Sequence, residues 1–222
     1  MKRFLQTPLT LATVLLLAQT SMSATVTVSS TDVAKSILDN DPTGFTSVLT
    51  GPELMNLTDV DLIFEDLTHT SIPDLHIELR SPQGTNVVLM KSFTEAGILT
   101  GFGTPDDFLG TVFDDQALTN LASGAAPYTG SFNVNHPSVV ANPLSLFNGQ
   151  NAAGTWTLFI SDRASIDVGS LNAWSLRFTG HACPEPSSLM LLGIGGFGVI
   201  ATLGIPNRRR LAVGQAASGP NS

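Results

Sequence analysis

Apolar and polar residues alternate along several short segments of the chain. In residues 59–65, Val60, Leu62 and Phe64 share one face, and three acidic side chains lie on the other face. This period of two is typical of a β-strand with one buried face. The same alternation recurs at residues 75–80, 156–160 and 174–178. The pattern therefore predicts several half-buried antiparallel strands.

Turn-forming residues separate these segments. Pro, Gly, Asn, Asp and Ser cluster at 81–84, 148–151 and 167–170. Short strands with polar turns predict an all-β fold, a β-sandwich or jelly roll. Its core should contain the two large indole rings of Trp156 and Trp174.

A loosely ordered lead-in is expected at residues 24–43, before the regular strands. Within it, Thr25–Val28 has the composition of an edge strand. The best helical candidate is Val33–Leu38, because Asp32 can act as its N-cap.

The N-terminus has the pattern of a secretory signal peptide at residues 1–23. Lys2 and Arg3 precede a short apolar run, and small residues follow, which predicts cleavage after Ser23 or Ala24. The body of the chain is therefore expected to be exported.

The C-terminus has the pattern of a membrane anchor. Residues 189–205 carry no charge, and as a helix they would span about 26 Å, close to the ~30 Å hydrocarbon core of a bilayer. Three arginines follow, at 208–210, and should remain cytoplasmic. The expected organisation is a linker at 181–188, a transmembrane helix at 189–205 and a cytoplasmic tail at 206–222.

Charge is distributed unevenly. The chain has a net charge of −8, with 18 acidic and 10 basic residues. All 18 acidic residues lie between 24 and 186, where only five basic residues occur, so this part has a net charge of −13. Such a surface disfavours nucleic acid and anionic lipid and attracts cations. The simplest alternative is that the charge only keeps the domain soluble.

Cysteine and histidine chemistry is limited. Cys183 is the one cysteine, so no intramolecular disulfide can form. The four histidines are scattered without the spacing of zinc ligands. His76 lies on the polar face of a predicted strand and is expected at the surface.

The order of parts at the C-terminus is specific. The motif Pro184-Glu185-Pro186, the glycine-rich apolar segment and the cluster Arg208-Arg209-Arg210 together resemble the PEP-CTERM protein-sorting signal of Gram-negative bacteria. This resemblance implies recognition by an exosortase and processing near the motif. It also implies a body held outside the inner membrane, then released to the cell envelope or extracellular matrix. A plain tail anchor is the alternative.

The body carries a second resemblance. The segment Asp74–Thr85, which reads DLHIELRSPQGT, resembles the opening signature of the P domain, also called P/Homo B. Further matches follow in order at 110–117, 146–149, 154–158, 162 and 169–176. The resemblance covers residues 44–180 and implies a jelly-roll β-sandwich similar to galactose-binding-like domains. In proprotein convertases, such a domain follows a subtilisin-like protease domain.

Acidic residues form one candidate metal site. Calcium binds carboxylates and loop carbonyls, and the resemblance to P domains and related jelly rolls also implies structural calcium. The expected calcium ligands are Asp106, Asp107, Asp114, Asp115 and Asp162. The alternative is that these carboxylates are solvated or cap turns.

The sequence predicts no catalytic residues. Neither a Gly-x-Ser-x-Gly nor a His-Glu-x-x-His motif occurs. The leading hypothesis is a non-catalytic, surface-displayed binding or structural module. The second is an accessory domain for a separately encoded subtilisin-like protease. The third is a lectin-like module for extracellular polysaccharide, for which the aromatic candidates are Tyr128, Phe93, Phe102 and Phe108.

Overall fold

A computed structural model describes residues 22–97, 99 and 106–182. These residues form strands and short 3₁₀ turns, and the described part contains no α-helix. The strands are β1 (Ser23–Ser29), β2 (Lys35–Ile37), β3 (Phe45–Gly51), β4 (Leu54–His69), β5 (Leu75–Arg80), β6 (Asn86–Met90), β7 (Thr111–Phe113), β8 (Gly130–Phe132), β9 (Gly154–Asp162) and β10 (Gly169–Ala182). The 3₁₀ turns are Ile72–Asp74, Phe93–Glu95, Leu121–Ser123 and Pro143–Phe147. The all-β prediction is confirmed, and the jelly-roll topology stays a prediction.

Several predicted features lie outside the described residues. They are the signal peptide except for its last two residues, the Pro184–Pro186 motif, the segment 189–205 and the cluster Arg208–Arg210. Among the residues that the structure does describe, no helix is long and apolar enough to cross a membrane.

The strands form two sheets that pack face to face. One sheet has the order β1-β10-β4-β7-β8, with β2 also paired to β10, and the other has the order β3-β9-β5-β6. Neighbouring strands are antiparallel except for β7 and β8. The rings of Trp156 on β9 and Phe178 on β10 meet across the sheets with centroids 5.2 Å apart. The two-layer β-sandwich follows from this contact and from one shared apolar core.

The longest strand pair forms the centre of the core. On β4 and β10, Phe64 lies opposite Trp174 and Leu62 opposite Leu176, and all four side chains are buried. Alternation along each strand sends these residues to the same face, as the sequence pattern predicts. The indole Nε1 of Trp174 donates to Ser47 Oγ on β3 at 2.7 Å, which links the two sheets. The prediction that both tryptophans are core residues is confirmed.

The helix predicted at Val33–Leu38 is wrong. Residues Lys35–Ile37 form strand β2 and pair with the start of β10. A left-handed φ of 59° at Ala34 interrupts any helix there, and Ile37 is buried in the sandwich core. Burial and pairing with a distant strand outweigh a weak local preference.

The lead-in also contains an edge strand. β1 pairs with β10 from Ser23 opposite His181 to Ser29 opposite Ser175, so the edge strand expected at Thr25–Val28 is confirmed. The segment 24–43 therefore contains two strands and is more regular than expected. At its other end, β10 extends to Ala182, two residues beyond the predicted domain end.

Candidate functional site

The five predicted calcium ligands divide between two places along β4. Near the end of β4, Asp107 Oδ1 accepts a hydrogen bond from the backbone N–H of His69 at 3.1 Å. Near its middle, Asp114 follows Phe113, which pairs with Leu62. Eight residues of strand separate positions 61 and 69, or about 25 Å. The pairs at 106–107 and 114–115 therefore cannot bind one ion together.

The group at the middle of β4 contains two acidic residues that were not predicted as part of the site. Asp59 and Asp61 lie two residues apart on the polar face of β4, which was the available signal. The side-chain amide of Gln116 bridges Asp59 Oδ1 and Asp114 Oδ1, and its nitrogen lies 2.9 Å from each. Burial, and then the Asp114 carboxylate, raise the pKa of Asp59.

Asp61 is the most deeply buried member of this group, with 1% of its surface exposed. Its Oδ2 accepts from Arg177 Nε at 2.7 Å, whereas Oδ1 has no hydrogen-bond partner. Burial, reinforced by the neighbouring carboxylate of Asp59, raises the pKa of Asp61 to about 6 although Arg177 opposes the change.

Asp115 completes the group. Its Oδ2 accepts from the backbone N–H of Ser145 at 2.7 Å, and its Oδ1 is buried without a partner. Burial raises the pKa of this carboxyl, against the effect of the backbone hydrogen bonds. Asp61 and Asp115 therefore each have one oxygen without a partner, in a group of carboxylates that repel one another.

The group at the end of β4 surrounds His69. The ring Nδ1 contacts the carbonyl oxygen of Ser71 at 2.7 Å, and Nε2 lies 3.3 Å from Asp162 Oδ2. Both side chains are fully buried. Of the predicted ligands, Asp106, Asp107 and Asp162 are brought to this end, since the Asp106 backbone N–H donates to the His69 carbonyl at 3.1 Å.

Two further acids join this second group. Burial, a shared hydrogen bond with Asp167 and the Asp162 carboxylate raise the pKa of Asp74 to about 7. Burial also raises the pKa of Asp162. Asp74 and Asp167 were not predicted as members of the site, because their proximity to Asp162 depends on the pairing of β5 with β9.

Neither group forms a ready-made metal site. Within the described residues, no three His, Cys, Asp or Glu side chains are arranged to hold a metal ion. The unpartnered oxygens of Asp61 and Asp115 are consistent with a cation, but the calcium site stays a prediction.

His76 is not at the surface, so that prediction is wrong. Only 5% of its surface is exposed, because the 3₁₀ turn Phe93–Glu95 covers it. Nδ1 lies 2.7 Å from Glu95 Oε2 and Nε2 lies 2.8 Å from Glu78 Oε1. Burial opposes ionisation of Glu95, but the hydrogen bond from His76 and the nearby Arg163 outweigh it and lower the pKa of Glu95.

The aromatic residues expected of a lectin-like surface are largely inside. Phe108 is completely buried and Tyr128 is 8% exposed, and their rings pack against each other at 5.6 Å. Phe93 is half-buried in its turn, and Phe102 lies outside the described residues. No described observation favours stacking on a sugar.

Comparison with known proteins identifies two matching families. The model described as the proprotein convertase P-domain matches residues 59–178. The model described as the PEP-CTERM protein-sorting motif matches residues 182–205.

Similar proteins come from Aeromonas sobria. Its extracellular serine protease is 30% identical over 148 residues, which are 64% of this chain and 22% of the relative. The crystal structure of its serine protease with a chaperone aligns with 73% of this chain and 27% of the other, at 21% identity and a TM-score of 0.39. A structure of the serine protease of A. sobria covers 72% and 26%, at 23% identity and a TM-score of 0.34. This chain thus spans about a quarter of the length of these relatives.

Proposed function

Since the chain belongs to the proprotein convertase P-domain family, we propose that it is a non-catalytic P-domain module, exported and then sorted to the cell envelope or extracellular matrix. One observation carries this proposal: the P-domain match ends at residue 178 and the sorting-motif match begins at 182. A folded module followed directly by an address signal is the arrangement of an exported cargo.

The fold supports a role that uses the outside of the domain. The space between the sheets is filled by apolar side chains such as Trp156 and Trp174, so the described interior is a packed core. The polar groups described above lie along the middle of β4 and at its end. We propose that the domain acts through these two groups and its loops.

The details of sorting belong to the proposal. An exosortase is proposed to recognise Pro184-Glu185-Pro186, while residues 189–205 hold the chain in the inner membrane and Arg208–Arg210 remain cytoplasmic. Calcium is proposed as a stabilising ligand of the mature domain. The support for calcium is the pair of unpartnered, buried oxygens, Asp61 Oδ1 and Asp115 Oδ1.

A second function has specific support. The identity of 30% to an extracellular serine protease over 148 residues favours an accessory role beside a separately encoded protease. In this case the module would act in trans as a docking or folding partner. Co-purification of a subtilisin-like protease with the exported chain would distinguish this role from that of an independent module.

Sorting is tested by fractionating a Gram-negative host that expresses the full chain. One variant replaces Pro184-Glu185-Pro186 with alanines, and another replaces the three arginines with glutamines. Both should change the distribution among inner membrane, envelope and medium. A matched control, Gln215→Ala, should behave like the parent. Near-ultraviolet circular dichroism should show an unchanged body in all variants. If distribution and processing are the same in every variant, the sorting proposal is wrong.

A further inference from the structure

One end of the sandwich combines a cavity with exposed apolar side chains. Two turns form this end, residues 38–44 after β2 and residues 163–168 after β9, and we call it the β2/β9 end. A cavity of about 90 Å³ lies between β2, the first turn and the end of β9. The cavity and the two turns are a separate surface from the Asp59 group at the middle of β4.

The cavity has apolar walls and two acidic side chains. The walls include Ile37, Phe45 and Ile160, and the carboxylates are those of Asp41 and Asp162. Such a lining suits a lysine or arginine, whose aliphatic stem packs on apolar surface while its charged head reaches a carboxylate.

Both carboxylates are positioned by the backbone. Asp41 Oδ1 accepts from the N–H of Thr43 at 3.0 Å, and hydrogen bonds from Thr43 lower the pKa of Asp41, which keeps it ionised. Asp162 Oδ1 accepts from the N–H of Ala164 at 2.9 Å. Its Oδ2 is buried and lies 3.3 Å from His69 Nε2. An incoming cation would therefore meet the fixed negative charge of Asp41 without rearranging the first turn, and Asp162 would line the far side of the cavity.

Three apolar side chains lie exposed beside the cavity. Leu38 is 61% exposed, Ile166 is 89% exposed and Val168 is 55% exposed. The pairing of Ile37 with Gly169 places Leu38 next to Val168. The N–H of Ile166 donates to Asp39 Oδ1 at 2.7 Å, which joins the two turns. These residues thus form one apolar patch.

The backbone of Ile166 has a strained conformation that destabilises the folded domain. Its φ is 97°, in a region where a β-branched residue is a rare outlier. Glycine would relieve the strain, and a polar residue would suit the solvent. Strained residues of this kind concentrate at binding sites. An exposed isoleucine presented on a strained turn therefore indicates contact with another molecule.

The surroundings of the patch are acidic. Five carboxylates lie at this end, those of Asp39, Asp41, Asp74, Asp162 and Asp167. Two basic side chains nearby already have partners, because Lys35 pairs with Asp32 at 2.8 Å and Arg163 pairs with Glu95 at 2.5 Å. Charge complementarity therefore favours a cationic occupant, and a second copy of this acidic end would be repelled.

We propose that the β2/β9 end is a docking surface for a basic, apolar segment of another protein. The segment inserts a lysine or arginine side chain into the cavity between Asp41 and Asp162, and it rests an adjacent apolar side chain on Ile166. This inference does not depend on the sorting proposal, since the surface would bind the segment wherever the domain resides.

The test uses the full chain, purified in detergent micelles with labelled Ile, Leu and Val methyl groups. The probe is the peptide acetyl-Leu-Lys-Leu-amide, and its matched control has glutamate in place of lysine. NMR titration with the lysine peptide should shift the methyl signals of Leu38, Ile166 and Val168 saturably. The signal of Leu118, which is fully exposed elsewhere, should not move. Raising the salt concentration from 50 to 500 mM should weaken binding.

Substitutions separate docking from general attraction to an acidic protein. Asp41→Asn should lower the affinity for the lysine peptide at least fivefold, and Ile166→Ser should also lower it. Asp114→Asn should leave the affinity unchanged. Dispersed methyl spectra would show that each variant is folded. Equal binding of the glutamate peptide, or equal affinity in Asp41→Asn, would overturn the proposal. The proposal would also be overturned if calcium shifted the same methyl signals and displaced the peptide. Self-association of the protein that Ile166→Ser abolishes would overturn it as well.

Discussion

The buried carboxyl of Asp74 makes a sharp prediction about pH. Only 2% of Asp74 is exposed, and its pKa is raised from 3.8 to about 7 by burial, by the hydrogen bond shared with Asp167 and by the Asp162 carboxylate. In the folded domain this group therefore keeps a proton that the unfolded chain releases. Its contribution to the free energy of unfolding is present below pH 3.8 and decreases as the pH rises towards 7.

The magnitude follows from the same values. Each pKa unit corresponds to about 1.4 kcal/mol, so the full difference would be about 4 kcal/mol. That is an upper limit, because the neighbouring Asp162 carboxyl, whose pKa burial also raises, interacts with Asp74 as the two titrate. We therefore expect Asp74 to remove roughly 1–3 kcal/mol of stability between pH 4.5 and pH 8.

The perturbation is Asp74→Asn, which keeps a donor towards Asp167 but cannot ionise. Relative to the parent, this variant should gain roughly 1–3 kcal/mol of stability as the pH rises from 4.5 to 8. The assay is urea unfolding of the full chain, followed by fluorescence of the two buried tryptophans, with midpoints compared at constant slope. The exposed control Glu53→Gln should keep the parent's pH dependence. A pH-independent difference in stability between Asp74→Asn and the parent would show that Asp74 does not carry this pH dependence.

Three further variants test other parts of the structure by the same unfolding assay. Arg177→Met leaves the buried Asp61 carboxylate without its cation, so it should lower the free energy of unfolding by about 1–3 kcal/mol at pH 8. The loss should be smaller at pH 5, where the Asp61 carboxyl is protonated. Equal losses at both pH values would contradict this. Ser47→Ala removes the acceptor of the Trp174 indole N–H and should cost about 1–2 kcal/mol, and a cost near zero would show that this link between the sheets is dispensable. Ile166→Gly relieves a strained φ and should raise stability by about 1 kcal/mol, whereas a loss would mean that Ile166 is a structural residue.

Alternation of apolar and polar residues was enough to predict the central strands. Phe64 and Trp174 lie in strands whose alternation indicates one buried face, and both side chains are in the core. The same reasoning failed for His76, because alternation only says which face of the strand a residue occupies. A turn 17 residues further on covers that face with Glu95, and no local pattern reports such a contact.

The acidic residues of the candidate site were predicted only in part, because their grouping also depends on contacts between distant segments. The sequence shows the acidic pairs 106–107 and 114–115 as close neighbours, yet β7 (Thr111–Phe113) lies between them. Because this strand runs alongside β4, it separates the pairs along the length of β4. The partners of each pair, Asp59 for one and His69 for the other, come from strand pairing and were not predictable from spacing.

We propose that this chain is an exported P-domain module that is processed at both ends. The most direct measurement is the intact mass of the protein recovered from the cell envelope and medium of a Gram-negative host with an exosortase. Processing at both ends predicts a species that begins after Ser23 or Ala24 and ends near Pro184–Pro186. Recovery of the whole chain from Met1 to Ser222 in the cytoplasmic fraction alone would contradict it.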